Sequence, residues 1–289
     1  MAQPVLDVFH QLDQALAAAV AAAAPSVVHV SRGRTGGTGI AWSEALVVTS
    51  SFHTPDRTTI GIGLPDGTLD ERDAEVIGRD PGTDAALLRV AGGGLAPARL
   101  RDVDGLAVGN LALAIGRPGR TARASLRAIG VLGPEVKTAW GGTLDRYVES
   151  DRQIPRGFAG GPLIDADGAV IGMNTRTLVR GADLAVPVAT LRRVVAELEQ
   201  HGGVRRGYLG VGAYPSGQGA LVASLEDGGP AAAAGIIVGD ILVAIDSQPV
   251  GGPDTLRGVL GDLAGKTVKV ELVRGGVKQE IDVAIGSRP

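Results

Sequence analysis

Between Pro25 and Val186 the sequence is cut into short apolar runs rich in β-branched residues, separated by glycine, proline and aspartate. Val27 to Val30, Leu46 to Thr49, Thr59 to Leu64, Ala74 to Ile77, Ala86 to Val90 and Leu111 to Ile115 are such runs. Strands this short with turn residues between them predict a β-barrel or β-sandwich. The pattern then changes. Val188, Leu191, Val194, Val195 and Leu198 recur at helical spacing, and Gly202 and Gly203 follow where a helix needs a left-handed cap. Beyond Arg205, Pro230 and Gly235 bracket a short alanine helix, Pro253 opens a second helix with Leu256, Val259, Leu260 and Leu263, and Val268 to Val273 with Ile281 to Ile285 reads as a hairpin about Gly275 and Gly276. A length of 289 residues leaves room for two domains, each with its own core. The expected organisation is a helical segment at 1–24, a mostly β domain at 25–187, a linker helix at 188–204 and a small α+β domain at 205–289.

Composition narrows the function classes. A net charge of -3 lacks the basic excess that phosphate-backbone binding requires, so no nucleic-acid partner is expected. The absence of cysteine removes disulfides, thiolate metal sites and a thiol nucleophile. The longest apolar run, Ala15 to Ala24, is too short to span a bilayer. It reads as the end of an alanine-rich helix from Val5, stopped by Pro25. No Lys or Arg precedes Arg32, while Asp7 and Asp13 stand where a secretory leader carries positive charge, so a cytoplasmic location is expected. GDLAGKT at Gly261 to Thr267 lacks one residue of a phosphate-binding loop and follows a helix where that loop follows a strand. His10, His29, His53 and His201 share no metal-ligand spacing, and Asp165 and Asp167 sit in a turn sequence, so neither a metal nor any other cofactor is expected.

Three segments in fixed order carry more information: LVVTSSFH at Leu46 to His53, DPGTDAALLRV at Asp80 to Val90 and GFAGGPLID at Gly157 to Asp165. Together they resemble the trypsin-like serine proteases of the HtrA type. In that family a strand ends in Thr-x-x-His, an Asp precedes a short apolar strand, and Gly-x-Ser-Gly-Gly-Pro-Leu carries the nucleophile. Val148 to Thr175 is similar to the family's nucleophile loop and following hairpin, and LAVPV at Leu184 to Val188 to the strand flanking its cleft. The resemblance implies a mostly β fold, a trypsin-like double β-barrel followed by a small α+β PDZ domain. It puts the general base at Phe52, the orienting carboxylate at Asp84 and the nucleophile at Ala159, with oxyanion N–H groups on Gly157 and Ala159. Phenylalanine cannot take a proton and alanine has no hydroxyl, and loss of either group costs about 10⁶ in turnover in related systems. The expectation is therefore a chain that is not an enzyme, a pseudoprotease acting as a scaffold, with Phe52 and Phe158 filling the cleft. The alternatives are a serine endopeptidase with relocated residues, His53 with Ser50, Ser51 or Ser150, and a structural subunit of a larger complex.

For the second domain the resemblance puts a carboxylate-binding loop at Tyr208, Leu209, Gly210 and Val211, with Leu256, Val259 and Leu260 of the Pro253 helix lining a groove. Successive backbone N–H groups there would nest a terminal carboxylate while the peptide adds as a strand. The expected partners are protein C-termini or extended peptides. A homotrimer is implied by the family, and the groove is either free or filled by the chain itself or a permanent neighbour.

Overall fold

The computed structural model describes residues 3–31, 36–55, 57–179 and 181–288 and divides them into two compact units, one of residues 1–136 and 144–203, the other of 137–143 and 204–289. The chain opens with α1 (Gln3–Ala23), whose alanines favour helix, and Pro25 converts its end into a single 3₁₀ turn. Among the described residues no helix is long and apolar enough to cross a membrane.

Six strands then close a first barrel: β1 (Val27–Val30), β2 (Gly37–Ala41), β3 (Leu46–Ser50), β4 (Arg57–Gly63), β5 (Leu69–Asp80) and β6 (Ala85–Val90), in the order β1-β2-β3-β6-β5-β4. Every residue of β2 and β3 is buried; β3 therefore reads as an apolar run, whereas the glycines and threonine of β2 (Gly-Thr-Gly-Ile-Ala) hide it from such a reading. β5 is much longer than the apolar run Ala74 to Ile77 that announces it. Its first half is polar and pairs with β4 from Leu69 to Glu75, with side chains that reach solvent. Val28, Val30, Val47, Ile60 and Leu88 form the barrel core.

A second barrel follows with order β11-β14-β13-β12-β7-β8. Its strands are β7 (Leu111–Gly116), β8 (Arg123–Gly133), β11 (Tyr147–Ser150), β12 (Pro162–Asp165), β13 (Val170–Val179) and β14 (Ala182–Pro187). Between β8 and β11 the chain makes a two-strand ladder of β9 (Val136–Lys137) and β10 (Thr143–Leu144). α2 (Val188–His201) buries Val188, Leu191, Val194, Val195 and Leu198 on the first unit and packs on β5, β6, β13 and β14. Gly202 caps it at φ 71, donating to the Leu198 carbonyl.

The second unit holds β15 (Arg206–Tyr208), β16 (Val211–Ser216), β17 (Gly219–Leu225), α3 (Pro230–Ala233), β18 (Ile241–Ile245), β19 (Gln248–Pro249), α4 (Pro253–Leu260), β20 (Thr267–Arg274), β21 (Val277–Ala284) and β22 (Gly286–Arg288). Its main sheet runs β16-β17-β18-β20-β21, with β19 on β18 and β22 paired to β15. Gly275 and Gly276 at φ 57 and 83 give the β20–β21 hairpin the left-handed pair that a tight two-residue turn requires. Asp240, fully buried, receives two hydrogen bonds from Arg274 at 2.8 and 2.7 Å and one from the Ile237 N–H at 2.9 Å. Those bonds hold its carboxyl below the usual carboxylate range against the opposing cost of burial.

Candidate functional site

The segment Asp80-Pro81-Gly82-Thr83-Asp84 turns on the side chain of Asp80, which accepts from the Gly82 N–H at 3.0 Å and the Thr83 hydroxyl at 2.6 Å. The turn sets Asp84 at φ 55, a left-handed position that aspartate tolerates better than most residues, and buries its carboxylate completely. Ser50 Oγ donates to its two oxygens at 2.9 and 3.0 Å, the Phe52 N–H at 3.1 Å and Thr175 Oγ1 at 2.7 Å. Burial pushes the Asp84 carboxyl above its usual range, and these hydrogen bonds offset only part of the effect. The sequence offered Ser50 only as a relocated nucleophile and did not single out Thr175. Nothing in the local text of either announces a contact with Asp84.

Phe52 sits half-buried in the 3₁₀ turn Ser51–His53, and the His53 side chain lies outside the described residues. Ser50 is fully buried, Ser51 is buried as well, and Ser150 at the end of β11 donates to the Arg152 carbonyl at 3.3 Å. These serines therefore lie on separate elements.

The loop Ile154 to Gly161 threads between the two barrels. Thr38 Oγ1 donates to the Gly157 carbonyl at 2.6 Å, the Gly160 N–H donates to Asn174 at 2.9 Å, and Asn174 Nδ2 donates to Gly161 and Pro162 at 3.1 and 2.9 Å. Gly160 has φ 85, and a Cβ there would stand 2.5 Å from Thr38 O and Thr49 Oγ1. Only glycine fits. Upstream, Arg127 on β8 donates to the carbonyls of Arg152 and Gln153 at 2.6 and 2.9 Å, and Asp183 accepts the Ile154 N–H at 2.6 Å. Among the described residues the N–H groups of Gly157 and Ala159 meet no acceptor in the protein. Phe158 is buried. Its ring lies in the second-barrel core with Ile154 and Leu163, against Gly116, where a Cβ would stand 2.6 Å from the ring. Burial of that large apolar surface stabilises the inward placement.

In the second unit Tyr208, Leu209, Gly210, Val211, Leu256 and Leu260 surround one cavity of about 520 Å³, whereas Val259 packs against the core of the unit. The Leu209 and Gly210 carbonyls are tied back to the N–H groups of Ala231 and Glu226 at 2.8 and 2.9 Å. Trans peptide geometry then points the N–H groups of Gly210 and Val211 away from those partners. Gly210 at φ 74 allows the bend. β16 ends the sheet, and α4 packs beside it and beside β15. The cavity also takes in Trp140, Arg206, Arg257 and Arg288, none of which the sequence marked.

A trypsin-like peptidase domain model matches residues 37–173 and a PDZ domain model matches residues 207–285. A probable periplasmic serine endoprotease, DegP-like, of Pseudomonas putida (strain W619) is 33% identical over 265 residues, covering 86% of this chain and 54% of that protein. Its counterpart in Brucella suis biovar 1 (strain 1330) is 32% identical over 281 residues, covering 88% and 53%. The chain thus spans about half the length of the curated relatives it matches. Among solved structures, the HtrA-type protease AlgW with decapeptide aligns with TM-score 0.71 at 25% identity over 95% of this chain and 99% of that one. The serine endoprotease from Yersinia pestis aligns with TM-score 0.70 at 26% identity over 94% and 97%.

Two expectations are corrected by these relatives. The reading of a chain that is not an enzyme rested on Phe52 and Ala159 alone, and relatives named serine endoproteases overturn it. Two side chains say which groups stay out of the chemistry, not what the rest of the site does. The cytoplasmic expectation rested on the charge of the first residues and is overturned by relatives named periplasmic. With two six-stranded barrels, a PDZ domain after them in the sequence and relatives of this architecture, the chain belongs to the HtrA-type serine protease family.

Proposed function

We propose that this chain captures extended polypeptide segments, free C-termini among them, in the cavity of its PDZ domain, as part of a periplasmic protein of the HtrA type. One conjunction carries the reading: the loop Tyr208 to Val211, the sheet-terminal strand β16 and the apolar flank of Leu256 and Leu260 meet at a single cavity. The N–H groups of Leu209, Gly210 and Val211 receive a terminal carboxylate, and the peptide main chain continues the sheet beside β16. Fluorescence anisotropy with a free-carboxylate peptide and its amidated twin tests this. The free acid is expected to bind more tightly, and equal or absent binding overturns the carboxylate loop. For the assembly we propose a homotrimer or a place in a larger complex, which static light scattering showing a monomer would remove.

A second reading, favoured by the names of the relatives, is peptide-bond hydrolysis of the serine type. In this chain it draws on groups other than the side chains at Phe52 and Ala159. The N–H groups of Gly157 and Ala159 supply donors for an oxyanion, and Ser50, Ser51 or Ser150 with His53 supplies the hydroxyl and the imidazole. Stoichiometric fluorophosphonate labelling at one serine, together with cutting of an unfolded polypeptide, is the expected result. No labelling under conditions that label a relative would sink this reading.

A further inference from the structure

Three guanidinium groups, Arg206, Arg257 and Arg288, line the cavity of the second unit, and two carboxylates stand against them, Glu226 in the lining and Asp254 beside Arg257. This local excess runs against the chain as a whole, whose net charge is -3. Arg288 stacks 4.0 Å from the Tyr208 ring centroid and Arg257 5.7 Å from that of Trp140. A guanidinium laid on an aromatic face keeps its N–H edges in its own plane, where they can reach an oxyanion. Arg288 pairs with Glu226, Arg257 pairs with Asp254 at 2.5 Å, and Arg206 donates to the Gly141 carbonyl. Both ion pairs are about half exposed, so each is worth little and yields readily to a competing carboxylate.

We propose that this cavity selects peptides carrying an acidic side chain within their last few residues, beside the terminal carboxylate. The proposal rests on the peptide-binding reading above and names its ligand class. Main-chain bonding to β16 is indifferent to sequence, so it supplies affinity for any extended peptide. Arg257, on α4 beside the groove, and Arg288, on β22 at the loop, then supply the discrimination.

The test uses the full chain and labelled decapeptides sharing one apolar C-terminal residue but carrying Asp, Ser or Lys at the two positions before it. The acidic peptide is expected to bind about three- to tenfold more tightly than the serine peptide at low salt, and the lysine peptide more weakly. The gap is expected to narrow at about 0.5 M salt as the charges are screened. Arg257→Gln should bring the ratio of acidic to neutral affinity towards one, and Arg257→Lys, which keeps the charge, should preserve most of it. Equal binding of acidic and neutral peptides, or a preference for lysine, overturns the selectivity while leaving peptide capture standing. Failure of every free-carboxylate peptide to bind overturns both.

Discussion

At the scale of single residues the most informative group is Asp84, because its surroundings were invisible from its own segment. The family resemblance implies an orienting carboxylate there, and in the fold it is held by Ser50, by Thr175 and by the Phe52 N–H. Its folded-state pKa is raised above the usual 3.8 by burial. The stabilising, protonated form is therefore fully present below that ordinary value and is lost as pH rises through the raised one. Asp84→Asn, which tolerates the left-handed backbone, is expected to be as stable as the parent or more so near pH 7. The parent should gain on the variant as pH falls from 7 towards 4, as read by calorimetry at several pH values. A gap that moves the other way on acidification would contradict the buried-carboxylate argument. Gly160 lies within the motif Gly157 to Asp165, and its backbone shows why glycine stands there. Gly160→Ala combines a positive φ with a close approach to Thr38 O, and a loss of about 2–4 kcal/mol in the first unit is expected from chemical denaturation.

At the scale of elements, the periodicity that predicts a helix after residue 187 corresponds to α2, and the glycine expected as its cap lies at φ 71. Leu198 is fully buried on the inner face of that helix, so Leu198→Ala is expected to cost about 2–5 kcal/mol. Gly202→Ala should cost about 1 kcal/mol through the left-handed cap alone, and equal costs for the two would mean that α2 is held by its end rather than by its face. β5 shows where pattern reading stops. Its polar first half is a strand because β4 offers it hydrogen-bond partners, not because its own residues alternate. The same holds for residues 137–143, which no periodicity marks. Trp140 there stacks with Arg257, and Lys137 pairs with Asp262, all within the second unit.

At the scale of the molecule, each unit has apolar clusters of its own, which predicts two calorimetric transitions that move independently. Arg274→Gln leaves the buried Asp240 carboxylate without its cation and should lower the second unit's transition by about 3 kcal/mol of stability. Leu198→Ala should move only the other. A single transition shifted by both variants would contradict independence. The short strands, the helix after residue 187 and the two-domain division were determined by the sequence alone, because turn residues and apolar runs act on their near neighbours, whereas the trypsin-like and PDZ architecture was implied by the resemblance that the ordered motifs carry. The partners of Asp84 and the arginines and Trp140 round the cavity were decided only by tertiary structure. Thr175 stands 91 residues from Asp84, and Arg288 stands 62 from Glu226. No local pattern encodes a contact that exists only once two distant strands have been brought together by burial.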